Sequence, residues 1–257
     1  MKKIFSYNVN GLRAAMNKGF DAWLEEAQPD ILCLQETKMQ PEQMDFSAFD
    51  RLGYRHYWFS AVKKGYSGVA ILTKTKPDRI VYGMDMEKYD AEGRMIRADY
   101  GEVSVISAYV PSGTSGEERQ AFKMVFLDDF LQYLDRLRKE RPHLIIAGDY
   151  NIAHTDADIN FPRKHDKMSG FLPEEREWFS RFLAAGYVDT FRLFHSEPNR
   201  YSWWSYRSQA RAKDLGWRID YQIATASLQE KIRDAGIMQS AEHSDHCPVT
   251  TTVDFSG

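Results

Sequence analysis

The sequence predicts an α/β domain in which two mixed β-sheets pack together and helices flank them. Three observations carry this expectation. Strand-like and helix-like stretches intermix to the end of the 257-residue chain. The strand-like runs are too many, and often too closely paired, for a simple doubly wound sheet, whereas two sheets use them all. The chain is 43% hydrophobic and 28% charged, which supplies a sizeable core and excludes disorder. No linker, low-complexity tract or repeat of fixed period is visible, so one domain over 1–257 is expected.

Each element has a local reason. Residues 3–9 read as the first strand. A helix follows over about 19–27, with Phe20, Trp23, Leu24 and Ala27 on one face. Further strands are expected over 30–35, 56–60, 68–73, 94–100 and 103–109, from their β-branched and aromatic content and flanking turn residues. The longest helix covers about 117–140, with Phe122, Phe126, Phe130, Leu134 and Leu137 at three- and four-residue spacing. A strand over 144–149 precedes a helix over 173–185, where Pro173 suits the first helical position and Gly186 ends it. Strands over 219–224 and about 248–254 close the chain.

Bulk properties narrow the function only slightly. A net charge of −3 and a pI near 6.2 neither require nor exclude nucleic acid, since phosphate contact depends on local clustering. The two cysteines, Cys33 and Cys247, both sit in expected core strands and make no disulfide framework, so reduced thiols and a cytoplasmic setting are expected. The apolar stretch behind Lys2 and Lys3 stops at Ser6, too short for a signal peptide. No run approaches membrane-spanning length, so no membrane partner is expected.

Five polar islands stand at expected strand ends: Asn8 in SYNVNGLRA, Glu36 in DILCLQETK, Asp149 and Asn151 in LIIAGDYNIAH, Asp220 in GWRIDY, and Ser244-Asp245-His246 in SDHCPV. Metal-assisted attack on phosphate needs this inventory: hard oxygens for a divalent cation, a carboxylate for water, and an imidazole steadied by an acid. If extended geometry persists, residues 149 and 151 share a face; an Asx turn is the plainer reading. Glu36 is equally an ordinary strand end neutralised by Lys38. Adjacent side chains diverge in a strand, so Asp245 is not expected to partner His246, and Asp220 is the candidate acid. A zinc site from His243, His246 and Cys247 is the alternative, though no second Cys/His cluster completes four ligands. His143, His154, His165 and His195 read as surface or core histidines. Tyr109, before the Pro-Ser-Gly turn of YVPSG, is a phenol facing the site or a core ring.

Segment 199–218 interleaves Arg200, Arg207, Arg211, Lys213 and Arg218 with Tyr201, Trp203, Trp204, Tyr206 and Trp217. That mixture suits phosphates and stacked bases, and equally a core with a solvated basic face. Gly216 and the missing periodicity favour a loop.

These islands, in this order, resemble the exonuclease III family of abasic-site DNA repair endonucleases, within the wider endonuclease–exonuclease–phosphatase group. The resemblance covers nearly the whole chain, through NVNGLRA, LQETK, GYSGVA, EGR, YVPSG, GDYNIAH, SGFLPEER, WWSYR, GWRIDY and SDHCP. It implies a four-layer α/β sandwich of the DNase I-like type. It further implies a Mg²⁺-dependent cut 5′ to a baseless nucleotide in double-stranded DNA, with Mn²⁺ as a substitute metal and no need for more than a monomer. By motif, Glu36 would be the principal metal ligand with Asn8 and Asp245 near it. Asp149 would position or deprotonate water, Asn151 bond the phosphate or nucleophile, and Tyr109 and His246 lie at the phosphate with Asp220 behind. Trp203, Trp217 and Ile219 would wall a pocket for the baseless sugar. Arg13, Lys38, Tyr66 and Arg94 would lie on or near a DNA-facing rim, and Arg207 would join the DNA surface. Ser112 and the stretch His165-Asp166-Lys167-Met168 depart from asparagines common in the family, and Ser115 from an arginine that some relatives insert into DNA. Two other readings remain: a phosphoinositide or sphingomyelin phosphodiesterase, disfavoured by segment 199–218, and an inactive nucleic-acid-binding relative, disfavoured by the full set of islands.

Overall fold

The computed structural model describes residues 1–255. Strand β1 (Lys2–Asn8) leads through α1 (Leu12–Met16) and α2 (Phe20–Ala27) to β2 (Ile31–Gln35). After α3 (Ser47–Arg51) come β3 (Arg55–Phe59), β4 (Val69–Thr73) and β5 (Arg79–Tyr82). Next are α4 (Glu87–Asp90), β6 (Met95–Tyr100) and β7 (Val103–Tyr109), and α5 (Glu117–Glu140) returns the chain to β8 (His143–Asp149). The last part holds α6 (Pro162–His165), α7 (Pro173–Ala184), β9 (Tyr187–Asp189), β10 (Trp203–Trp204) and β11 (Gly216–Trp217). It ends in β12 (Asp220–Thr225), β13 (Ile232–Ile237) and β14 (Val249–Val253).

The strands form two six-stranded mixed sheets, ordered β13-β14-β1-β2-β4-β3 and β5-β6-β7-β8-β12-β9, and a short β10-β11 ribbon. Both sheets share one plan. A central parallel pair, β1 with β2 or β7 with β8, is joined by helix and flanked on each side by two antiparallel strands. This correspondence has no counterpart in any sequence repeat.

Strand alternation builds the layers. Ile4, Ile31, Cys33, Val69 and Ile71 of the first sheet meet Ile96, Val105, Ile145 and Ala147 of the second in a buried inter-sheet core. Phe5, Tyr7, Leu32 and Leu34 face outward onto Leu12, Phe20, Leu24 and Phe49 of the first helical layer. Ile106, Leu144, Ile146 and Ile223 face outward onto Phe126, Phe130 and Leu134 of α5 and Trp178, Phe179 and Phe182 of α7. The order helix, sheet, sheet, helix is the expected four-layer α/β sandwich.

The expected strands and the three helices are all present within a residue or two. Those not foreseen are short or polar. β9 has three residues. β13 exposes Arg233 and Asp234 and carries a bulge. The 199–218 segment, expected as a loop, contains the β10–β11 ribbon. Cys247 lies just before β14 rather than inside a strand; both thiols are free and buried. No helix among the described residues is long and apolar enough to cross a membrane.

Candidate active site

The site forms where the carboxyl ends of both parallel pairs meet. Asn8 ends β1 opposite Gln35 of β2. The next residue, Glu36, adopts a left-handed backbone (φ 50°), which costs a residue with a Cβ roughly 1–2 kcal/mol. Several other residues share this conformation, Lys38 and Asn151 beside the site among them, so it is the contacts of Glu36 that single it out. In the second sheet Tyr109 ends β7 opposite Asp149 of β8, and Asp220 opens β12 opposite Asp149 on the other side. His246 arrives just before β14 and bridges to Trp203 of the ribbon.

Asn8 is the keystone between the sheets. Its Nδ2 donates to Glu36 Oε1 and to Asp149 Oδ2, each at 2.8 Å, and its Oδ1 accepts the Asn10 N–H. Asp149 Oδ1 accepts the N–H of Asn151 at 2.8 Å. That is the Asx turn of the plainer reading, and it coexists with the site. Extended geometry does not persist past Asp149, because Asn151 has φ 51°. The turn nevertheless returns the Asn151 amide to the site, where Nδ2 donates to the Val110 carbonyl at 3.0 Å and lies 3.4 Å from Asp149 Oδ2. His246 Nδ1 lies 2.8 Å from Asp220 Oδ2, and its Nε2 lies 3.9 Å from Asp149 Oδ2. Asp220 also accepts the Ser202 hydroxyl at 2.7 Å.

Charge in this dry cluster is unusual. Burial and the Asp220 and Glu36 carboxylates push Asp149 up to about 7, with His246 pulling the other way. Burial disfavours a charged His246, but Asp220, Asp149 and Asp245 outweigh it and raise the ring to about 10, so imidazolium is its form at neutral pH. Glu36 is held below its usual value because Lys38 and Asn8 overcome its burial; Lys38 Nζ sits 2.8 Å from it. Burial, Glu36 and Asp149 keep the Tyr109 phenol protonated far above its ordinary range.

Among the described residues, Glu36, Asp149 and His246 form a group of possible metal ligands whose donor atoms lie within 4.8 Å of one another. A protonated imidazole offers no lone pair, so the usable donors are hard carboxylate oxygens. Glu36, Asp149, Asp220 and Asp245 outnumber the cations Lys38 and His246. Both facts fit a hard divalent cation. The zinc alternative fails: Cys247 is buried with its thiol toward the Tyr201 carbonyl, and His243 Nδ1 faces the Tyr7 hydroxyl. Asp245 stands apart from the tight trio, its oxygens held by Asn10 Nδ2 at 2.9 Å and Trp203 Nε1 at 3.0 Å.

A cleft of about 320 Å³ opens onto this cluster, lined by Glu36, Tyr109, Asp149, Asn151, Trp203, Trp217, Ile219, Asp245 and His246. Trp203 and Trp217 meet edge to face, and Ile219, Ile159 and Phe171 back them. Asn10, Thr114, Ser169 and Gly170 also line the cleft and were not anticipated. The signal for Asn10 was present, since it lies two residues past Asn8 in the same island. Ser112 and Met168, two of the departures, line it too.

The basic residues need correction. Arg94 is not on a rim. It is 1% exposed, with its guanidinium 4.5 Å over the Tyr109 ring and bonds to Glu92, Tyr66 and the Tyr109 carbonyl. Tyr66 accepts from both Arg94 and Arg119, and so belongs to the same network. Arg218 is buried against Asp158 and Asp189, and Arg211 donates to the carbonyls of Ser244, Gln239 and Ala241. Arg218 is therefore not free for DNA, and Arg211 is half-buried and turned toward these carbonyls. Arg13 on α1 and Arg207 at the tip beyond β10 are exposed. Lys38 is half-buried between Glu36 and Asn10.

Comparison with known proteins agrees with this geometry. Residues 5–246 match the Endonuclease/Exonuclease/phosphatase family. An exodeoxyribonuclease of Bacillus subtilis is 44% identical over 98% of this chain and all of its own length. The DNA repair nuclease APEX1 of Danio rerio is 41% identical over 96% of this chain and 81% of its own. An AP endonuclease from Archaeoglobus fulgidus superposes with a TM-score of 0.90 at 33% identity, covering 99% of this chain and all of that one. A Neisseria 3′ phosphatase, solved bound to a product DNA hairpin, gives 0.92 at 28% identity with the same coverage. The match along nearly the whole sequence, and the convergence of its motif residues on one cleft, carry one conclusion: the chain belongs to the endonuclease/exonuclease/phosphatase family.

Proposed function

We propose that this protein, acting as a single monomeric domain over 1–257 in the cytoplasm, hydrolyses the phosphodiester 5′ to an abasic site in double-stranded DNA, leaving a 3′-hydroxyl and a 5′-deoxyribose phosphate. The observation that carries the reading is the Glu36–Asp149–His246 cluster, backed by Asp220, at the mouth of a cleft walled by Trp203, Trp217 and Ile219. A nucleotide without a base swings out against little stacking, and the two indoles would stand where an intact base would have to go.

The family depends on divalent metal, and Mg²⁺, with Mn²⁺ as substitute, suits the oxygen donors here. Glu36 would hold it, with Asn8 and Asp245 nearby; when bound, it neutralises phosphate charge and stabilises the leaving oxygen. The other roles belong to the chain. Asp149, ionised, accepts the proton of the attacking water. The Asn151 amide, the Tyr109 phenol and the His246 imidazolium donate to phosphate oxygens, and such bonds strengthen as charge grows in the transition state. Asp220 keeps His246 charged and aimed. Arg13, Lys38 and Arg207 meet flanking phosphates.

The exodeoxyribonuclease among the relatives and the 3′ phosphatase among the structural neighbours support 3′→5′ exonuclease and 3′-repair activity at the same cleft. The test is incubation with a duplex carrying one synthetic abasic analogue, with Mg²⁺ or with chelator. A single metal-dependent nick 5′ to the analogue is expected. An intact duplex in Mg²⁺ would reject the reading.

A further inference from the structure

Lys123 of α5 and Glu175 of α7 form an ion pair with no solvent exposure on either side chain, 2.5 Å between Nζ and Oε1. Burying such a pair seldom stabilises a fold, because desolvating two ions offsets their attraction and apolar residues of equal volume serve a core as well. The pair's other hydrogen bonds run to the two backbone segments that frame the cleft. Lys123 Nζ donates to the Asn151 carbonyl at 2.7 Å. Glu175 Oε2 accepts the N–H of Gly170 at 2.6 Å and of Leu172 at 3.0 Å. On the solvent side Gln120 donates to Glu175 Oε1 at 3.1 Å and accepts the Ser169 hydroxyl at 2.7 Å.

Gly170 is where the two segments close on each other. Its φ is +98°, and a Cβ there would lie 2.9 Å from the Trp217 ring and 3.2 Å from the Asn151 carbonyl oxygen. The backbone of residue 170 is therefore wedged between the Trp217 wall and the base of Asn151, with no slack on either side. The Ala153 N–H, donating to the Gly170 carbonyl at 2.8 Å, ties the same two segments. Moving either partner of the buried pair moves Asn151 and Gly170 relative to each other.

We propose that Lys123 and Glu175 are positioning residues for phosphodiester cleavage: together they fix the Asn151 amide relative to the Gly170–Trp217 wall of the cleft. The inference rests on the reading above, in which Asn151 bonds the phosphate or nucleophile. Neither side chain touches substrate, so the pair acts on the geometry of the transition state and not on the hold on flanking DNA. A displacement of about 1 Å at a reacting group costs on the order of 10² in rate.

The test uses the full chain carrying Lys123→Met or Glu175→Gln, with folding checked by circular dichroism and thermal unfolding. The kcat for cleavage of the abasic-analogue duplex is measured at saturating substrate in Mg²⁺, and Kd for the same duplex by fluorescence anisotropy in chelator. Folded variants should lose roughly 10- to 100-fold in kcat while Kd stays within about threefold. A folded variant with parental kcat, or one whose kcat and binding fall together as in general loosening, overturns the proposal. If neither variant folds, Gln120→Leu on the half-exposed face of α5 decides: kcat should fall roughly three- to tenfold, and parental kcat overturns it. A parent that leaves the abasic duplex uncut overturns the functional reading itself, an outcome distinct from a parent and variants that cut equally well.

Discussion

Replacing Arg94 with methionine separates two accounts of this residue. Motif resemblance would put it on or near the DNA-facing rim, where it could contact phosphate, whereas the structure buries it beneath Tyr109. The guanidinium lies 4.5 Å over the Tyr109 ring, a desolvated cation–π contact worth about 2 kcal/mol. It also donates to the Tyr109 carbonyl at 3.2 Å and the Tyr66 hydroxyl at 2.8 Å, and losing these adds about 1 kcal/mol. Stranding a buried charge costs about 3–5 kcal/mol, but Glu92 keeps Arg119, so that penalty does not apply in full. The loss is therefore at least about 3 kcal/mol, which at about 2–4 °C per kcal/mol for a chain of this size lowers Tm by roughly 6–12 °C or more. Tyr109 loses its support, and kcat should drop roughly tenfold or more. The decisive assay is salt dependence of DNA binding. A phosphate-contacting arginine would remove about 0.9 from the slope of log K against log salt. The buried position predicts an unchanged slope. A slope reduced by that amount with Tm unaltered would refute the argument.

Further expectations follow from the same geometry. In the proposed mechanism Asp149 acts ionised and His246 charged, so rate should rise with pH through the Asp149 pKa and fall through that of His246. Burial and Asp220 raise the first, and Asp220 offsets burial to raise the second, so Asp220→Asn should shift both limbs of the kcat profile to lower pH; an alkaline limb that stays put would contradict this. Glu36→Ala should chiefly raise the Mg²⁺ concentration needed for half-maximal rate, and an unchanged metal titration would remove Glu36 as ligand. Trp217→Ala should relax discrimination between abasic and intact nucleotides, measured as the ratio of nicking rates on the two duplexes. Burial opposes ionisation of Asp158, but Arg218 and Arg192 hold its carboxyl far below the usual range. That stability is fully present above the unfolded carboxyl pKa of about 4 and is lost as pH falls below it. Asp158→Asn should therefore lower Tm at neutral pH and flatten its decline in acid.

The chemistry-bearing residues were legible because they sit at strand ends, where an apolar run stops and a polar side chain must be explained. Asp220 was the candidate acid once Asp245 was set aside, and the 2.8 Å contact agrees, although residues 243–245 form a bend before β14 and not the extended strand expected there. The basic residues were not legible. A sequence shows that Arg94, Arg211 and Arg218 carry charge, but not that Arg94 folds inward with Glu92 under Tyr109, that Arg211 turns to a set of carbonyls, or that Arg218 pairs with Asp158 and Asp189. For Arg218 the deciding partner lies sixty positions away. Glu175 was hidden for a related reason. It lies in the first turn of α7, where an acid needs no further explanation; its carboxylate does accept the Leu172 N–H, but its second partner is a lysine on another helix.

The shared plan of the two sheets explains why a site of this kind arises between them. Asn8 and Tyr109 occupy the same position, the last residue of the first strand of each parallel pair. Glu36 and Asp149 stand at or just past the end of the second strand of each pair. Parallel strands joined through a helix expose their carboxyl ends together, so each sheet offers a donor and a carboxylate at one edge of its central pair. Packing the sheets face to face brings those edges together, and Asn8 links them by bonding the carboxylates of both. The connecting segments differ, two short helices in one half and the 24-residue α5 in the other, so no sequence period survives. Only the longer connection carries a buried lysine to the back of the site. The symmetry of the strands thus supplies the cluster, and the asymmetry of the helices supplies the support behind Asn151.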